Sequence, residues 1–441
     1  MNKKLFLFPL CLLFSLVTIT AMAAGFVQNG DNWQYEYASG EKAVDSLITA
    51  GSEKYYFDMD GNMVKDALVE YDNNFYYFDG EGKALKNTWK KISDEETGEE
   101  FWYYFGNAGK ARKSGWLTDN GEKYHFTDYH MDYGWYTDEN GKEYFLNGKD
   151  DGHMETGWLP YTEDESLEHD DGRTHNGGWY YFIPETGVMV KETEKKIGTK
   201  YYAFAADGVM IDGFGKVENP NKDEEDVPYI VKYYEKNTGV RANGWRYVEG
   251  AESDTSELSH EDGWYFFKNG VPYSRDSFTT VISLTKGIAK IDGEYYAFDQ
   301  NGKMVKGLIQ TEMNDPDYNG RYYYFGDDGK MKTGYVRVEE SEESINYPAD
   351  SLYFNPNGVS LPMHGITVTG IAGNVLYDNG ARIEAVSDRF ELVKISNGHT
   401  YIVGENGVVR KTGTVTLYDG TKMKISFDGE NYSWEKVETK K

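Results

Sequence analysis

Cysteine is almost missing. The one such residue among 441 is Cys11. It falls in an opening stretch where Lys3 and Lys4 lead an apolar run from Leu5 to Ala21-Met22-Ala23, the small-x-small pattern a signal peptidase reads. The run is broken by Pro9 and is short for a membrane span, so residues 1–24 are expected to be an export signal. No small residues precede Cys11 as a lipoprotein box would require. Without it the mature chain has no disulfide framework, no thiolate metal site and no cysteine nucleophile. An exported protein built that way points to a bacterium.

Positive charge is scarce too. Lys and Arg number 46 against 74 Asp and Glu, a net charge of −28. A polyanion of this size excludes nonspecific binding to nucleic acid or to an anionic membrane. A catalytic block is also missing, because no stretch free of repeats is long enough for an independent core. The eight histidines are scattered and form no HExxH helix. His169 and His175 flank "DDGRT" in what reads as a solvated loop, and no carboxylate spacing supports a glycosidase pair. "DMDGN" at 58–62 has the outline of a calcium loop but lacks the distal Glu, so it reads as a turn. "LPMHG" at 361–365 lacks the threonine and hydrophobic tail of a covalent wall-anchoring signal. No enzyme activity, cofactor or metal is expected.

Aromatics and glycine are what the chain has in plenty: 38 Tyr, 22 Phe and 10 Trp with 49 Gly. Such a chain is not disordered. The aromatics recur as a phrase, "KYYFDMDGNMVKDAL" from Lys54, "FYYFDGEGKALKNTW" from Phe75 and "YYYFGDDGKMKTGY" from Tyr322. Aligned on the third aromatic, the copies fall at Phe57, Phe78, Phe105, Phe126, Phe145, Phe182 and Phe204, then at Phe267, Phe298, Phe325 and Phe354. A glycine usually follows four residues on, as at Gly61, Gly82, Gly109 and Gly329. A weaker copy surrounds Tyr233-Tyr234, and degraded ones sit at Tyr377 and Tyr401.

Each unit reads as strand, tight turn, strand. A single hairpin is marginal alone, so its aromatics must stack on the next hairpin, and the repetition becomes the core. The expected fold is all-β, an elongated β-hairpin solenoid of about 20-residue aromatic/Gly repeats with loop insertions. Residues 25–361 form the repeats, and 362–441, where β-branched residues replace aromatics, form divergent β-rich repeats or a C-terminal cap. Acidic insertions at 93–100, 162–171, 222–226 and 339–344 read as solvated excursions.

"ETGWLP…GGWYYFIPETGVMV" (155–190) and "ANGWRY…DGWYFFKNGV" (242–271) resemble the choline-binding and cell-wall-binding repeats of Gram-positive surface proteins. Related repeats occur in glucan-binding regions and in the C-terminal domains of clostridial toxins. The resemblance covers most of 33–413 and implies a binding role. In choline-binding members a quaternary ammonium sits in an aromatic cage drawn from successive hairpins, held by cation–π attraction. The matching positions are the Gly-Trp residue and the aromatic that opens the next triplet. Trp158 with Trp179 and Trp245 with Trp264 fit, Trp89 with Trp102 and Trp116 is a looser third, and Phe214 offers the first pair a further wall. Lys54, Lys123 and Lys200 occupy the opening slot elsewhere, where a lysine would repel choline. The same tryptophans could serve only the core, and stacked aromatics hold sugar rings equally well.

The function expected is that of a secreted, noncatalytic bacterial surface protein, associated noncovalently with the cell surface. Its partner would be cell-wall or other polysaccharide, or choline-bearing teichoic acid, with an oligosaccharide bound better than choline. The alternatives are an adhesin-like solenoid for a host glycan or protein, and an accessory subunit of a wall hydrolase. Neither nucleic acid nor a membrane span in the mature form is expected.

Overall fold

The structure is a computed structural model. It describes residues 23–94, 97–167, 174–219, 228–249, 261–274, 282–283, 287–310, 320–338, 351–358, 363–428 and 432–438. Most of the expected export signal, with Cys11, lies outside these residues. So do His169, Leu361 and Pro362, all of the insertions at 222–226 and 339–344, and parts of those at 93–100 and 162–171. The chain divides into two compact units, 1–190 and 191–441. Among the described residues both units are built from strands, with only short 3-10 turns such as Glu165–Leu167 and Glu405–Gly407.

Every unit repeats one element, an antiparallel hairpin. Ala67–Tyr71 pairs with Asn74–Phe78, Thr88–Ser93 with Glu100–Phe105, and Gly157–Tyr161 with Gly178–Phe182. In unit 2, Gly213–Glu218 pairs with Tyr229–Tyr234 and Gly244–Val248 with Gly263–Lys268. The third triplet residue then bridges the segment after the turn, as in Phe78 with Ala84 and Phe325 with Met331. Asp79 shapes such a turn, its carboxylate accepting the backbone N–H groups of Glu81 and Lys83 at 2.9 Å each. Asp58 in "DMDGN" does the same for Asp60 and Asn62, which commits that carboxylate to the turn.

Hairpins are stitched to their predecessors by a recurring hydrogen bond. The N–H six or seven residues past the third aromatic donates to the carbonyl opening the previous triplet. Ala84 donates to Lys54 at 2.9 Å, Ala111 to Phe75 at 2.8 Å, Arg241 to Tyr201 at 2.9 Å and Met331 to Tyr295 at 2.8 Å. Next to this bond, the residue after the turn packs under the glycine of the following turn. A Cβ on Gly187 would stand 2.2 Å from Met154 Sδ, and one on Gly239 the same distance from Met210 Sδ, both glycines having positive φ. The Gly and Met of the motif are thus two halves of one contact.

The unbroken aromatic run follows from this stacking. Successive strand residues point to opposite faces, and here both faces carry aromatics that pack against neighbouring hairpins. The third triplet aromatic and the residue two before it look back at the preceding hairpin. Phe57, Phe78, Phe105, Phe126, Phe182, Phe325 and Phe354 are accordingly fully buried. The residue between them looks forward with its cross-strand partner. In unit 1 contacts reach two hairpins ahead as well. Lys54 Nζ donates to the Ala108 carbonyl at 2.8 Å, and Tyr129 stands edge-on to Phe75 at 4.8 Å.

The register corrects one alignment. Phe145 pairs with Trp135 as Tyr181 pairs with Trp158, so Leu146, fully buried and donating to the Gly134 carbonyl, fills the third position. Towards the C-terminus strands continue, among them Glu391–Lys394, Thr400–Val403 and Lys422–Phe427. There Leu376, Ile395, Val403 and Val409 do the work of the aromatics.

Candidate functional site

Within each unit, forward-looking and backward-looking rings meet at joins between hairpins, and at Trp89 and Trp245 the join becomes an aromatic cage. Trp89 stands 5.1 Å from Tyr104, its cross-strand partner, inclined at 64°. From the next hairpin Tyr124 approaches Trp89 to 4.8 Å at 60°, and Phe126 stacks at 5.5 Å. Trp245 repeats this in unit 2, with Phe266 at 5.2 Å and 70°, Tyr296 at 4.7 Å and 63°, and Phe298 stacked at 5.8 Å. Both tryptophans are partly exposed. Each indole is thus packed by rings of its own hairpin and of the next while remaining partly exposed.

Two more tryptophans obey the rule. Trp116 meets its partner His125 at 4.9 Å and Tyr144 of the next hairpin at 5.1 Å. Trp135 meets Phe145 at 5.1 Å and 63°, Tyr180 at 5.0 Å and 62°, and Phe182 at 5.9 Å. Only 3% of Trp135 is exposed, and its cage is closed. Sequence reading missed Trp135 because its triplet, Glu143-Tyr144-Phe145, is shifted by one residue. The Gly134-Trp135 pair was the available signal.

The residues singled out from sequence divide by face. Trp158 meets Tyr181 at 5.1 Å and Trp179 at 6.3 Å, nearly perpendicular to the latter, so this pair is assembled. Trp179 is 44% exposed. Trp264 shares the sheet face of Trp245 and contacts Tyr247 at 5.7 Å; its own exposure is 45%. Trp102 shares the face of Trp89, but Trp116 belongs to the following join. Phe214, at 2% exposure, is enclosed by Tyr233, Tyr265 and Phe267 in a core cluster of unit 2. A ring so enclosed has no face to offer a ligand. A further wall of the Trp245 site is Tyr296, 51 residues on.

Carboxylates border the Trp89 cage. Trp89 Nε1 donates to Asp119 at 3.0 Å and Trp102 Nε1 to Asp150 at 3.3 Å. Hydrogen bonds from Lys91 and then Trp102 hold Asp150 below the usual carboxylate range despite some desolvation. Burial and the nearby Asp151, Glu122 and Asp119 raise the Tyr124 hydroxyl, which keeps that wall neutral. Indoles edged by anions favour a cation on their faces. At Lys54, which opens one triplet, the charge is used internally: its Nζ lies 5.5 Å from the Tyr76 ring centroid. Burial, then Lys110 and Lys86, lower its pKa.

Among the described residues, His125 and His130 are engaged in packing and hydrogen bonding. His125 contacts Asp132 at 2.5 Å and the Tyr136 hydroxyl at 3.1 Å, and His130 stacks on Phe101 at 4.1 Å. Among the described residues no group of three or more His, Cys, Asp or Glu could hold a metal ion.

Comparison with known proteins finds likenesses for parts of the chain. Residues 44–89 match the choline-binding repeat, and residues 114–128 and 173–189 match a cell wall binding repeat. Each of these segments is similar to the repeat family whose model it matches. They contain Trp89, Trp116 and Trp179. No curated protein matches the chain. Among solved structures, the modular autolysin LytC of Streptococcus pneumoniae is similar at 21% identity over 65% of this chain and 55% of its own, TM-score 0.37. Choline binding protein F of the same organism is similar at 19% identity over 76% of this chain and 98% of its own, TM-score 0.34. The chain thus spans about half the length of the autolysin. Among the described residues no helix is long and apolar enough to cross a membrane.

Proposed function

We propose that the chain is a secreted, noncatalytic protein of the bacterial surface whose stacked hairpins form a β-solenoid. It holds cell-wall polysaccharide, including choline-bearing teichoic acid, in its aromatic cages. The observation that carries this reading is the repeated geometry at Trp89 and Trp245, together with the choline-binding repeats matched in the same chain. A quaternary ammonium over such rings gains about 0.5–2 kcal/mol per ring. A few rings give weak single-site binding, and several cages on one polymer would add through effective concentration. Noncovalent retention at the wall would follow from that multivalency.

The relatives point the same way. One solved LytC structure, 18% identical over 70% of this chain, carries a synthetic peptidoglycan ligand. The noncatalytic part rests on the engagement of His125, His130 and the turn aspartates in packing and turns. Zymography on purified walls tests it: no cleared zone is expected, and a cleared zone overturns it. Tryptophan fluorescence titrated with choline, wall oligosaccharides and glucan oligosaccharides tests the ligand. Quenching by at least one of them, reduced in Trp89→Leu and Trp245→Leu, is expected. Silence towards all three would return these tryptophans to packing.

A further inference from the structure

The closed cage at Trp135 has an occupant. His175 lies flat on the Trp135 indole, centroids 3.7 Å apart and planes 4° from parallel. Its Nε2 is 3.4 Å from a carboxylate oxygen of Glu143, and Tyr180 stands across it at 6.5 Å and 64°. His175 and Glu143 are each 8% exposed. Glu143 opens the triplet of its hairpin in structural register, the position held by Trp102 and Trp264 in the partly exposed cages.

His175 does not belong to the hairpin ladder. It lies in the long connection between Gly157–Tyr161 and Gly178–Phe182, a length of chain that hairpins such as Ala67–Phe78 manage without. The insertion therefore delivers a ring able to carry positive charge onto an indole face and against a carboxylate. Those are the interactions an external ammonium would make. Trp135 Nε1 is buried with no hydrogen-bond partner, so ring contacts dominate the local packing of the indole.

We propose that Trp135, Glu143, Phe145 and Tyr180 form a latent cation site whose occupant is the chain's own His175, so that the insertion competes with external ammonium ligands. This rests on the reading that the Trp89 and Trp245 cages take such cations. Removing the imidazole would add one site to those of the unaltered protein, and Glu143 would strengthen it beyond cages without a carboxylate in that slot.

The test is calorimetric titration of the full-length mature chain with tetramethylammonium, comparing wild type, His175→Ala and His175→Ala/Glu143→Gln. His175→Ala should bind one further equivalent, and the added Glu143→Gln should weaken that equivalent about fivefold or more. Binding to wild type with no additional equivalent in a folded His175→Ala overturns this proposal and leaves the function standing. Binding to His175→Ala alone sustains this proposal and overturns the reading of the Trp89 and Trp245 cages as cation sites, while binding to neither overturns both. Should His175→Ala not fold, carbethoxylation of His175 in the wild-type chain decides. Saturating tetramethylammonium should accelerate it by displacing the ring, and an unchanged rate overturns the proposal.

Discussion

Trp89 meets Tyr124 across the join between two hairpins, ring centroids 4.8 Å apart and planes 60° from parallel. Trp245 and Tyr296 stand at 4.7 Å and 63° in the other unit. The likeness arises because backbone register fixes both partners, one forward-looking and one backward-looking. Replacing Trp89 or Trp245 by Leu keeps an apolar filler and removes the π face. Each change should weaken a quaternary ammonium or wall ligand about 2- to 30-fold at its own cage, from roughly 0.5–2 kcal/mol per ring. Fluorescence titration of the single variants measures it.

The glycine–methionine contact makes a stability prediction. Gly239→Ala places a Cβ 2.2 Å from Met210 Sδ with φ at +63°. Overpacking costs about 1–3 kcal/mol and the left-handed backbone about 1–2 more. Gly244→Ala has φ at +76° but nothing within 4 Å, so it should show only the backbone part. Denaturant unfolding of the two variants should separate them, and Met210→Ala should relieve Gly239→Ala but not Gly244→Ala.

Unit 2 contains a buried ionic knot. Glu194 accepts from Lys232 Nζ and Arg241 Nη1, both at 2.9 Å, and from the Tyr234 hydroxyl at 2.8 Å. Burial, then the Glu194 charge, push the Tyr234 hydroxyl up and keep it a donor. Glu194→Ala strands two cations in a site where no member is more than 17% exposed. A loss of about 3–5 kcal/mol is expected. It should register in hydrogen exchange of 193–241 before the N-terminal hairpins change, since stacked repeats couple chiefly to neighbours.

Acid should loosen the hairpin at His130. Burial lowers its pKa below 6.5, against the raising influence of Asp128, Asp94 and Asp132. The unfolded chain then binds more protons than the folded one between the two values, so stability rises with pH there. Stability is lost as pH falls through about 6.5 and on to the folded value, and above that range His130 has no effect. His130→Phe keeps the stack on Phe101 and should flatten this part of the stability–pH curve, measured by thermal unfolding between pH 5 and 8.

Sequence pattern carried the hairpins because glycine, aspartate and the aromatic triplet each answer a local demand of turn or strand. Trp158 with Trp179 was legible for the same reason, both residues lying on one hairpin. The cages at Trp89 and Trp245 were only half legible. Their second walls, Tyr124 and Tyr296, come from the next hairpin, and inserted loops hide that spacing. Phe214 was misleading because it shares the Gly-aromatic signature with Trp158 yet is sealed by Tyr233 and Phe267. Trp135 and His175 were invisible as a pair, since nothing in a loop sequence says which ring it will cover.

The central claim is that cages between hairpins retain the protein at the wall. Cosedimentation of the mature chain with choline-bearing walls, with and without excess free choline, tests it most directly when run beside the Trp89→Leu/Trp245→Leu double variant. The account predicts wall binding by the wild type, release by choline or by wall oligosaccharide, and a several-fold loss in the folded double variant. Equal retention of both proteins, unaffected by choline or any wall oligosaccharide, would contradict it.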